Sequence, residues 1–423
     1  MTHYNVAFLT KLIPEQLREE VDRLSIGNMQ EAASALEWNL YYGLCDNTNQ
    51  PIRIFNILPL GSYPCYYKRP FVRSSRFSTP LCSDNANIGF CNVRMIRKYS
   101  QTLHTYRALK KWCRGHEGEK LLFVYTICSE FMSVISKLKR KFNHLTVCAI
   151  VADLPNMASL ASDQNRILRR YISVRAKESY ARLNNIDCFV LLTEQMAPYM
   201  RINQPYCVVE GIAPETEGNP AYNNEEDRGI KTIFYSGTLH KQFGIMNLLE
   251  AFSGIDKKNY RLVVCGIGDA QDEIAAAVAK DDRIRYLGQL PREKVLQMQR
   301  SATVLVNPRQ NVGEYVKYSF PSKNLEYLQS GRPLVAYKLD GIPDEYDDYI
   351  FYVRDNSVSA LREKLTEVCE NSETDGVLGK CSAAKVFIKE HKNAKVQTAV
   401  IIDMLEAKGL FICHEKNADC KKV

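Results

Sequence analysis

Short apolar runs alternate with stretches of helical periodicity along most of the chain. In the first half, the apolar runs occupy residues 4–10, 52–58, 120–127, 145–153 and 187–193. Runs of this kind are typical of strands that are buried on both faces. Between them lie stretches such as 26–44 and 165–183, in which apolar residues recur at helical spacing. This alternation predicts a mostly parallel sheet with helices on both faces.

The same alternation restarts after a polar interruption. Residues 211–229 are rich in Gly, Pro, Asn and Glu and lack an apolar period, so we interpret them as a linker. The later apolar runs occupy residues 231–239, 260–269, 284–290, 302–308 and 333–337. We predict two Rossmann-like, doubly wound α/β domains, 1–210 and 230–390, and a C-terminal helix and tail, 391–423, whose helix could pack on either domain. Because such sheets bind ligands at the carboxyl ends of their strands, we expect a cleft between the domains.

Composition narrows the class of protein. Of the 423 residues, 45% are hydrophobic and 25% are charged, as in ordinary globular proteins. There is no run of about 18 uncharged apolar residues and no signal-peptide pattern, so we expect a cytoplasmic protein. The 14 cysteines are scattered without a C-x-x-C pair, and we interpret them as small hydrophobes. We expect no metal site, since the nearest cluster, Cys413, His414 and Cys420, lies in a polar tail.

Positive charge is concentrated in one part of the chain. Residues 61–150 contain sixteen Lys and Arg against four Asp and Glu, whereas residues 211–423 carry a net charge of −2. A basic region of this size favours anionic partners, either phosphorylated lipids at a membrane surface or nucleic acid. No helix-turn-helix, zinc-finger or aromatic stacking signature accompanies the charge, so nucleic acid is not expected. The other alternative is a solvated face without a partner.

Two glycine-containing turns follow predicted strands in the second half. In "YSGTLHKQFG", Gly237 and Thr238 come directly after a strand, so backbone amides there can face an anion, with Lys241 adding charge. In "CGIGDAQDE", Gly266 and Gly268 end the next strand. The third glycine of G-x-G-x-x-G is absent, which argues against a nicotinamide or flavin cofactor. The alternative is that both turns are ordinary βα loops.

The most specific stretch is "YSFPSKNLEYLQSGRPLVAY", residues 318–337. It predicts a short loop, a helix of about two turns, a glycine stop and a buried strand. Ser319 or Ser322 can cap the helix, and Lys323 adds positive charge near its exposed amides. Such a helix start can bind phosphate.

Glu326 lies among apolar neighbours on this predicted helix. A buried carboxylate is costly unless it accepts hydrogen bonds, and the two adjacent hydroxyls of a ribose would donate them. We therefore predict a site for a ribose and a diphosphate. The alternative is a capped helix with a solvent-exposed glutamate.

Several strings together resemble a known family. "FPSKNLEYLQSGRPLVAY", with "YSGTL", "VVCGIGD", "RIRYLGQL" and "VNPR" before it in that order, resembles the C-terminal domain of retaining glycosyltransferases of family 4, which have the GT-B fold. The chain is most similar to bacterial enzymes of capsular and exopolysaccharide synthesis. "NMQEAASALEWNLYYGL" and "VADLPNM" resemble the N-terminal half of that subgroup. The resemblance implies two Rossmann-like domains that face a central cleft.

The resemblance also implies roles for single residues in donor binding. Glu326 matches the second Glu of the family's E-x7-E motif and would bind the ribose hydroxyls. Tyr318 stands where the first Glu would contact the donor hexose, so the motif is broken at this position. The backbone of Ser319 and Phe320 would still face the hexose.

The resemblance also implies residues that contact the diphosphate and the base, but the family's pattern is only partly present in this chain. The family's Arg and Lys that neutralise the diphosphate are replaced here by Thr238 and Phe243. The expected substitutes are Lys241, Arg309 and Lys323. Leu287 and Gly288 match the loop whose backbone contacts the base.

The reaction implied is transfer of a sugar from a nucleoside-diphosphate sugar to a saccharide acceptor. It would retain the anomeric configuration and need neither a metal nor another cofactor. The resemblance implies an acceptor carried on a polyprenyl diphosphate. We expect the chain to bind the anionic inner surface of the cell membrane through the positive residues of 61–150 and 166–182.

On the acceptor side, Asp153 follows a predicted strand. We predict that it orients or deprotonates the acceptor hydroxyl, and an Asx turn is the alternative. Gly27, Asn28 and Gln30 are predicted to contact the acceptor. Two other functions stay open, a nucleotide-sugar epimerase of the same fold and a non-catalytic sugar-nucleotide-binding partner of a glycan assembly complex.

Overall fold

The computed structural model describes residues 4–26, 31–157, 166–214 and 229–412. The described residues form two compact units. Unit 1 is drawn from Met1–Ile212 and Ala394–Val423, and unit 2 is drawn from Ala213–Asn393.

Unit 1 is built on a mostly parallel sheet. Its strands are β1 (Tyr4–Thr10), β2 (Arg53–Asn56), β3 (Phe71–Val72), β4 (Ser75–Phe77), β5 (Asn85–Asn87), β6 (Phe90–Cys91), β7 (Glu119–Tyr125), β8 (Leu145–Val151), β9 (Cys188–Leu191) and β10 (Tyr206–Val208). In the described residues the sheet has eight strands in the order β10-β9-β8-β7-β1-β2-β5-β4, and only β4 and β5 pair antiparallel within it. Strands β3 and β6 form a separate antiparallel pair.

The strand order of unit 1 reverses between β1 and β7. From β1 the chain first adds β2 on one side and later adds β7, β8, β9 and β10 on the other. Doubly wound sheets bind ligands at the carboxyl ends of the strands where the order reverses. In unit 1 this switch point follows Thr10 and Tyr125.

The helices of unit 1 flank its sheet. They are α1 (Glu15–Leu24), α2 (Glu31–Thr48), α3 (Arg97–Gly115), α4 (Ser129–Lys139), α5 (Arg166–Tyr180) and α6 (Met196–Met200), with a 3₁₀ turn at Leu183–Asn185.

Unit 2 contains a second parallel sheet. Its strands are β11 (Lys231–Ser236), β12 (Tyr260–Cys265), β13 (Ile284–Tyr286), β14 (Val304–Asn307), β15 (Leu334–Tyr337) and β16 (Phe351–Val353). In the described residues their order is β13-β12-β11-β14-β15-β16, and every neighbouring pair is parallel. This is the 3-2-1-4-5-6 order of dinucleotide-binding folds. The switch point of unit 2 therefore lies at the carboxyl ends of β11 and β14.

Helices cover both faces of the second sheet. They are α7 (Ile245–Ser253), α8 (Gln271–Lys280), α9 (Arg292–Ser301), α10 (Lys323–Gln329), α11 (Val358–Glu370) and α12 (Asp375–His391), with 3₁₀ turns at Lys241–Phe243, Glu314–Tyr318 and Asp344–Tyr346. Judged by length and hydropathy, no helix in the described ranges could span a membrane.

The specific stretch 318–337 folds largely as predicted. Helix α10 has seven residues, Gly331 follows it with φ +76°, and β15 comes next. The predicted cap is wrong, because Ser322 at the N-cap makes no side-chain capping hydrogen bond and the Ser319 hydroxyl donates to Tyr315 O at 3.2 Å. The amide of Asn324 bonds back to a carbonyl at 2.8 Å, so this amide is not exposed for an anion.

The last helix, α13 (Ala394–Ala407), belongs to unit 1. It packs against α2, where a Cβ on Gly43 would lie 2.5 Å from Ala394 O. The Asn47 amide donates to Lys395 O at 2.7 Å and to the Thr398 hydroxyl at 2.8 Å. The small residue and this polar contact fix which unit the helix joins.

Candidate functional site

A polar network joins helix α10 to the end of β11 at the switch point of unit 2. The buried Tyr327 hydroxyl accepts a hydrogen bond from Ser236 N at 2.8 Å and donates to Ser236 O at 3.1 Å. Burial raises the pKa of Tyr327, so the phenol stays neutral. The network therefore sets the position of α10, including Glu326, relative to the strand.

Glu326 is a buried carboxylate at this point, with 9% of its side chain exposed. One carboxylate oxygen accepts from Gln299 Nε2 at 2.6 Å and from Lys323 Nζ at 2.9 Å, and the other lies 3.2 Å from Arg292 Nη2. Burial opposes ionisation, but Lys323, Gln299 and Arg292 hold the pKa of Glu326 below its ordinary value. The alternative of a solvent-exposed glutamate is wrong.

The network also corrects the role expected of Lys323. Its ammonium group pairs with Glu326, three residues along the same helix, so its charge is neutralised in this structure. Arg292 and Gln299, both on α9, were not anticipated from the sequence. Gln299 is 1% exposed and is a fixed part of the site, whereas the side chains of Arg292 and Lys323 are 57% and 34% exposed.

Arg309 lies just beyond β14, on the other side of the switch point. Its guanidinium donates to the Ser319 hydroxyl at 2.7 Å and lies 4.8 Å from the Tyr315 ring centroid and 5.5 Å from that of Phe243. Burial raises the pKa of Tyr235 near the end of β11, and the charge of Arg309 opposes this rise. Arg309 therefore places positive charge between the loops that follow β11 and β14.

The glycine turns pack against one another. Gly237 N donates to the last carbonyl of β12 at 3.0 Å, and Gly266 N donates to Gly288 O at 2.8 Å. These two amides are therefore not available to an anion, which corrects that expectation. Gly266 has φ +133°, and a Cβ there would lie 1.8 Å from Gly237 O. A Cβ on Gly268 would lie 2.2 Å from Leu239 O, so both glycines allow close approach of loops, as ordinary βα loops require.

The Lys241 side chain does not point as predicted. The Lys241 ammonium pairs with Glu273, and its backbone amide donates to Asp269 Oδ1 at 2.8 Å. Its charge is thus neutralised by α8 instead of facing the switch point. Thr238 is exposed, and its carbonyl accepts from the Tyr235 hydroxyl at 2.9 Å.

Tyr318, at the position of the missing first Glu, is 7% exposed. Its hydroxyl donates to Glu314 Oε1 at 3.0 Å, so an acidic group lies beside this position although the motif is incomplete. Phe320 is 6% exposed and packs on Tyr346, with ring centroids 5.3 Å apart. Its side chain is therefore structural, and only its backbone is a candidate for ligand contact.

The loop predicted to meet the base follows β13. Leu287 has 38% of its surface exposed, and its amide donates to Val264 O at 3.0 Å. Gly288 has φ +63°, with open space where a Cβ would be. The loop thus exposes the apolar side chain of Leu287 and the backbone of Gly288.

On unit 1, Asp153 is exposed and comes two residues after β8. Its charge lies close enough to Tyr125, the last residue of β7, to add to the rise in pKa that burial and Glu37 cause there. Asp153 therefore lies near the switch point of unit 1. Gly27, Asn28 and Gln30 lie outside the described residues, as do Cys413, His414 and Cys420.

Glu37 is a second buried carboxylate, and no sequence pattern indicated it. It is 2% exposed and accepts hydrogen bonds from the Thr10 hydroxyl and from Lys11 N, the latter at 2.7 Å. Burial raises the pKa of Glu37 to about 7, although these hydrogen bonds and the charge of Lys11 oppose the rise. Unit 1 thus has a carboxyl group at the end of β1 that titrates near neutral pH.

We expect Glu37→Gln to change how stability depends on pH. Since the folded pKa is about 7 and the ordinary value is 4.5, the wild type loses stability as pH rises through this window. The loss from this group approaches about 3 kcal/mol. The amide oxygen of Gln can still accept from Thr10 and Lys11, so the variant should lack this loss and unfold at a higher temperature at alkaline pH. Thermal midpoints across the window test this, with exposed Glu19→Gln as the control; parallel curves for the wild type and Glu37→Gln would contradict it.

Comparison with protein families gives one match. Residues 222–384 match the model described as "Glycosyl transferases group 1". These residues include the whole of the network around Glu326 and Arg309. No curated protein sequence matches the chain.

Solved structures with low sequence identity share the fold over nearly the whole chain. Sucrose-phosphate synthase from Thermosynechococcus elongatus has a TM-score of 0.63 at 15% identity, and the alignment covers 96% of this chain and 100% of that one. Anabaena HepE in complex with UDP has a TM-score of 0.59 at 11% identity, covering 95% and 100%. The lipopolysaccharide outer core galactosyltransferase WaaB has a TM-score of 0.58 at 13% identity, covering 96% and 100%.

These comparisons confirm the predicted fold class. The chain has an α/β fold with parallel sheets in two Rossmann-like units, and it matches GT-B glycosyltransferase structures. The matched segment lies within unit 2, so the similarity to the glycosyltransferase group 1 model belongs to this part of the chain.

Proposed function

We propose that the chain transfers a sugar from a nucleoside-diphosphate sugar to a saccharide acceptor, with retention of configuration and without a metal. One observation carries the proposal. Inside the segment that matches the glycosyltransferase model, the buried ionised carboxylate of Glu326 lies on α10, which is bonded to the end of β11, and the cation of Arg309 lies in the loop after the neighbouring strand β14. A ribose and a diphosphate need these two groups.

In the proposed donor complex, Glu326 accepts hydrogen bonds from the ribose hydroxyls. Gln299 stays in place because it is buried, whereas Lys323 and Arg292 have room to leave the carboxylate. Released from Glu326, the two cations can turn toward the diphosphate. Donor binding would thus exchange ion pairs within the protein for contacts to the ligand.

Arg309 has the leading role in the proposed chemistry. Departure of the sugar builds negative charge on the leaving phosphate, and a cation already fixed in place stabilises that charge without reorganisation. Ser319, Tyr315 and Phe243 hold the guanidinium in this way. The acceptor attacks the face that the diphosphate leaves, so no protein nucleophile is required.

Fewer contacts are proposed for the transferred sugar and for the acceptor. Tyr318 with Glu314, and the backbone of Ser319 and Phe320, are the proposed contacts of the hexose. Asp153 is the proposed group that orients or deprotonates the acceptor hydroxyl. We further propose a role in surface polysaccharide synthesis with a polyprenyl-diphosphate-linked acceptor; the likeness to WaaB, a lipopolysaccharide galactosyltransferase by its description, is compatible with it.

A donor screen tests the proposal. The full chain is incubated with common nucleoside-diphosphate sugars, beginning with UDP-sugars because UDP is bound in HepE, and release of free nucleoside diphosphate is measured. Slow release from one donor, increased by an acceptor, supports a transferase. Conversion of the donor to its epimer would establish the epimerase instead, and binding without any turnover would establish a non-catalytic partner.

We also propose that unit 1 attaches to an anionic membrane surface on the cytoplasmic side. At the start of α3, Met95, Ile96 and Tyr99 are 81%, 53% and 73% exposed, and the neighbouring α5 exposes Tyr171 and Val174 by 52% and 51%. An ion pair between Lys98 and Glu178 connects α3 with α5. Exposed apolar side chains within the most basic part of the chain suit the interface of an anionic bilayer.

The triple variant Met95→Ser, Ile96→Ser and Tyr99→Ser is expected to lose membrane binding. Burying one large apolar side chain contributes about 1.5–3 kcal/mol, so the partition coefficient should fall at least about tenfold. Sedimentation with anionic vesicles measures this, with exposed Leu378→Ser and Val386→Ser of unit 2 as the control. Equal sedimentation of all variants, or binding that ignores lipid charge and salt, would contradict the proposal.

A further inference from the structure

The switch point of unit 1 also collects charged side chains, and the proposed chemistry so far uses only Asp153 there. Lys11 follows β1, Glu130 lies in the first turn of α4 after β7, Arg97 begins α3, and Arg175 lies on α5. Four segments that are distant in sequence thus bring three cations and one carboxylate to the edge where a doubly wound sheet binds ligands.

Glu130 lies at the centre of this cluster. Its side chain is 9% exposed and forms an ion pair with Arg175, whose other guanidinium nitrogen donates to the Tyr171 hydroxyl at 2.8 Å. Burial opposes ionisation, but Lys11 and Arg175 lower the pKa of Glu130 to about 2. The carboxylate is therefore charged, and it cancels only one of the three positive charges.

Lys11 and Arg97 supply the excess charge. The Lys11 ammonium lies 5.1 Å from the Phe131 ring centroid. Burial opposes its charge, but Cys128 and Glu130 keep the pKa of Lys11 raised. Arg97 donates to the Ser62 hydroxyl at 3.3 Å and lies over Phe90. Burial lowers the pKa of Arg97, the charge of Glu130 opposes this change, and the charge of Arg175 adds to it, so both charged groups lie near Arg97.

A hydroxyl group in the loop between β7 and α4 is available to a ligand. Thr126 follows β7 directly, and its hydroxyl oxygen is buried without a hydrogen-bond partner among the described residues. A buried hydroxyl left in this state is costly and is normally satisfied by a ligand or an ordered water. The other acids named at this edge, Glu37 and Asp153, lie near Tyr125, and Glu37 also accepts a hydrogen bond from Lys11 N at 2.7 Å.

We propose that Lys11, Arg97 and Arg175, with the Thr126 hydroxyl, form a binding site for a phosphate or diphosphate group carried by the acceptor. The assignment rests on the proposed function, because it takes unit 1 to be the acceptor side of a glycosyl transfer. Two positive charges in excess of Glu130 match a phosphate dianion or a diphosphate. A neutral saccharide would leave this excess of positive charge unbalanced, so the acceptor class is phosphorylated.

The phosphate could belong to a sugar phosphate or to a lipid-carried saccharide, and three probes separate the sources. Inorganic pyrophosphate, glucose 6-phosphate and geranyl diphosphate are titrated against the full chain by calorimetry, with hydrogen exchange to locate the protected segments. Protection is expected at 8–13, 93–101 and 126–132. Tighter binding of geranyl diphosphate than of glucose 6-phosphate would assign a lipid carrier, and the reverse order would assign a sugar phosphate.

Variants test the residues. Arg97→Gln and Lys11→Met are each expected to weaken pyrophosphate binding to unit 1 by about 10- to 100-fold, the effect of losing a charge-assisted hydrogen bond. Arg107→Gln, an exposed arginine on the same helix, is the matched control and should leave the affinity unchanged. Thermal midpoints show whether each variant is folded, and two variants at separate positions guard against a single folding failure.

The outcomes separate this proposal from the proposed function. If no probe protects these segments, or if Arg97→Gln and Lys11→Met bind pyrophosphate as the wild type does, the phosphate site is overturned. Nucleoside diphosphate binding is measured on the same samples by protection of unit 2. If Arg97→Gln still binds the nucleoside diphosphate, the substitution affects only unit 1. If the wild type does not bind it, the donor site is overturned, and pyrophosphate binding to unit 1 is then judged separately.

Discussion

Glu326→Gln is expected to weaken binding of the nucleoside diphosphate by about 10- to 100-fold, because a ribose hydroxyl loses a charge-assisted hydrogen bond. The substitution keeps the shape of the side chain, and Gln299 can still donate to the amide oxygen. Donor turnover should fall at least as much, since binding of the nucleotide aligns the sugar. Calorimetry with the nucleoside diphosphate of the active donor and assay of its release measure both effects.

The matched control is Glu250→Gln, an exposed acid on α7 of the same unit. It should leave nucleotide affinity and turnover unchanged. Loss of the Glu326 charge also frees Lys323 and Arg292 for the diphosphate, which opposes the loss in affinity. An affinity in Glu326→Gln equal to that of the wild type, with turnover intact, would show that the carboxylate does not hold the ribose.

Arg309→Gln is expected to lower the turnover number for donor cleavage by about 100- to 1000-fold, the usual cost of removing one preorganised group that stabilises charge in a transition state. The effect on the Michaelis constant should be smaller, because the charge on the leaving phosphate develops during the reaction. Steady-state assays with the active donor separate the two constants.

Lys258→Gln, which removes an exposed positive charge elsewhere on unit 2, serves as the control for Arg309. Thermal midpoints are needed as well, because Arg309 also stacks on Tyr315 and Phe243. A folded Arg309→Gln protein with a raised Michaelis constant and an unchanged turnover number would assign Arg309 to substrate binding and not to the chemical step.

The sequence pattern was sufficient to predict the strands and the helix that carry the candidate site of unit 2. Buried parallel strands have clear apolar runs, so the ends of β11 and β14 and the two-turn helix α10 could be predicted from local residues. Glu326 was recognisable because a lone acid on an apolar helix needs a partner. The ion pair between Lys323 and Glu326 could also be predicted, since residues three apart on a helix are neighbours.

Contacts between distant segments were not predictable in the same way. Arg292 and Gln299 reach Glu326 only because α9 packs beside α10, and no local pattern encodes that packing. The short strands β10 and β16, of three residues each, have too few positions to show an apolar run. The roles of Gly237 and Lys241 were misjudged because their partners come from neighbouring loops and helices.

The same limit applies to unit 1. Its excess of Lys and Arg was evident from the sequence, but charge counts do not say which cations converge. Lys11, Arg97 and Arg175 meet around Glu130 because the strand order brings the ends of β1 and β7 together and packs α3 and α5 nearby. Only the topology turns a basic region into a candidate site.

The most direct test of the account is a crystal structure of the chain with the nucleoside diphosphate of its donor. We expect both ribose hydroxyls within about 2.6–3.2 Å of the Glu326 carboxylate and the diphosphate beside Arg309. A nucleotide bound elsewhere, with Glu326 still held only by Gln299, Lys323 and Arg292, would contradict it.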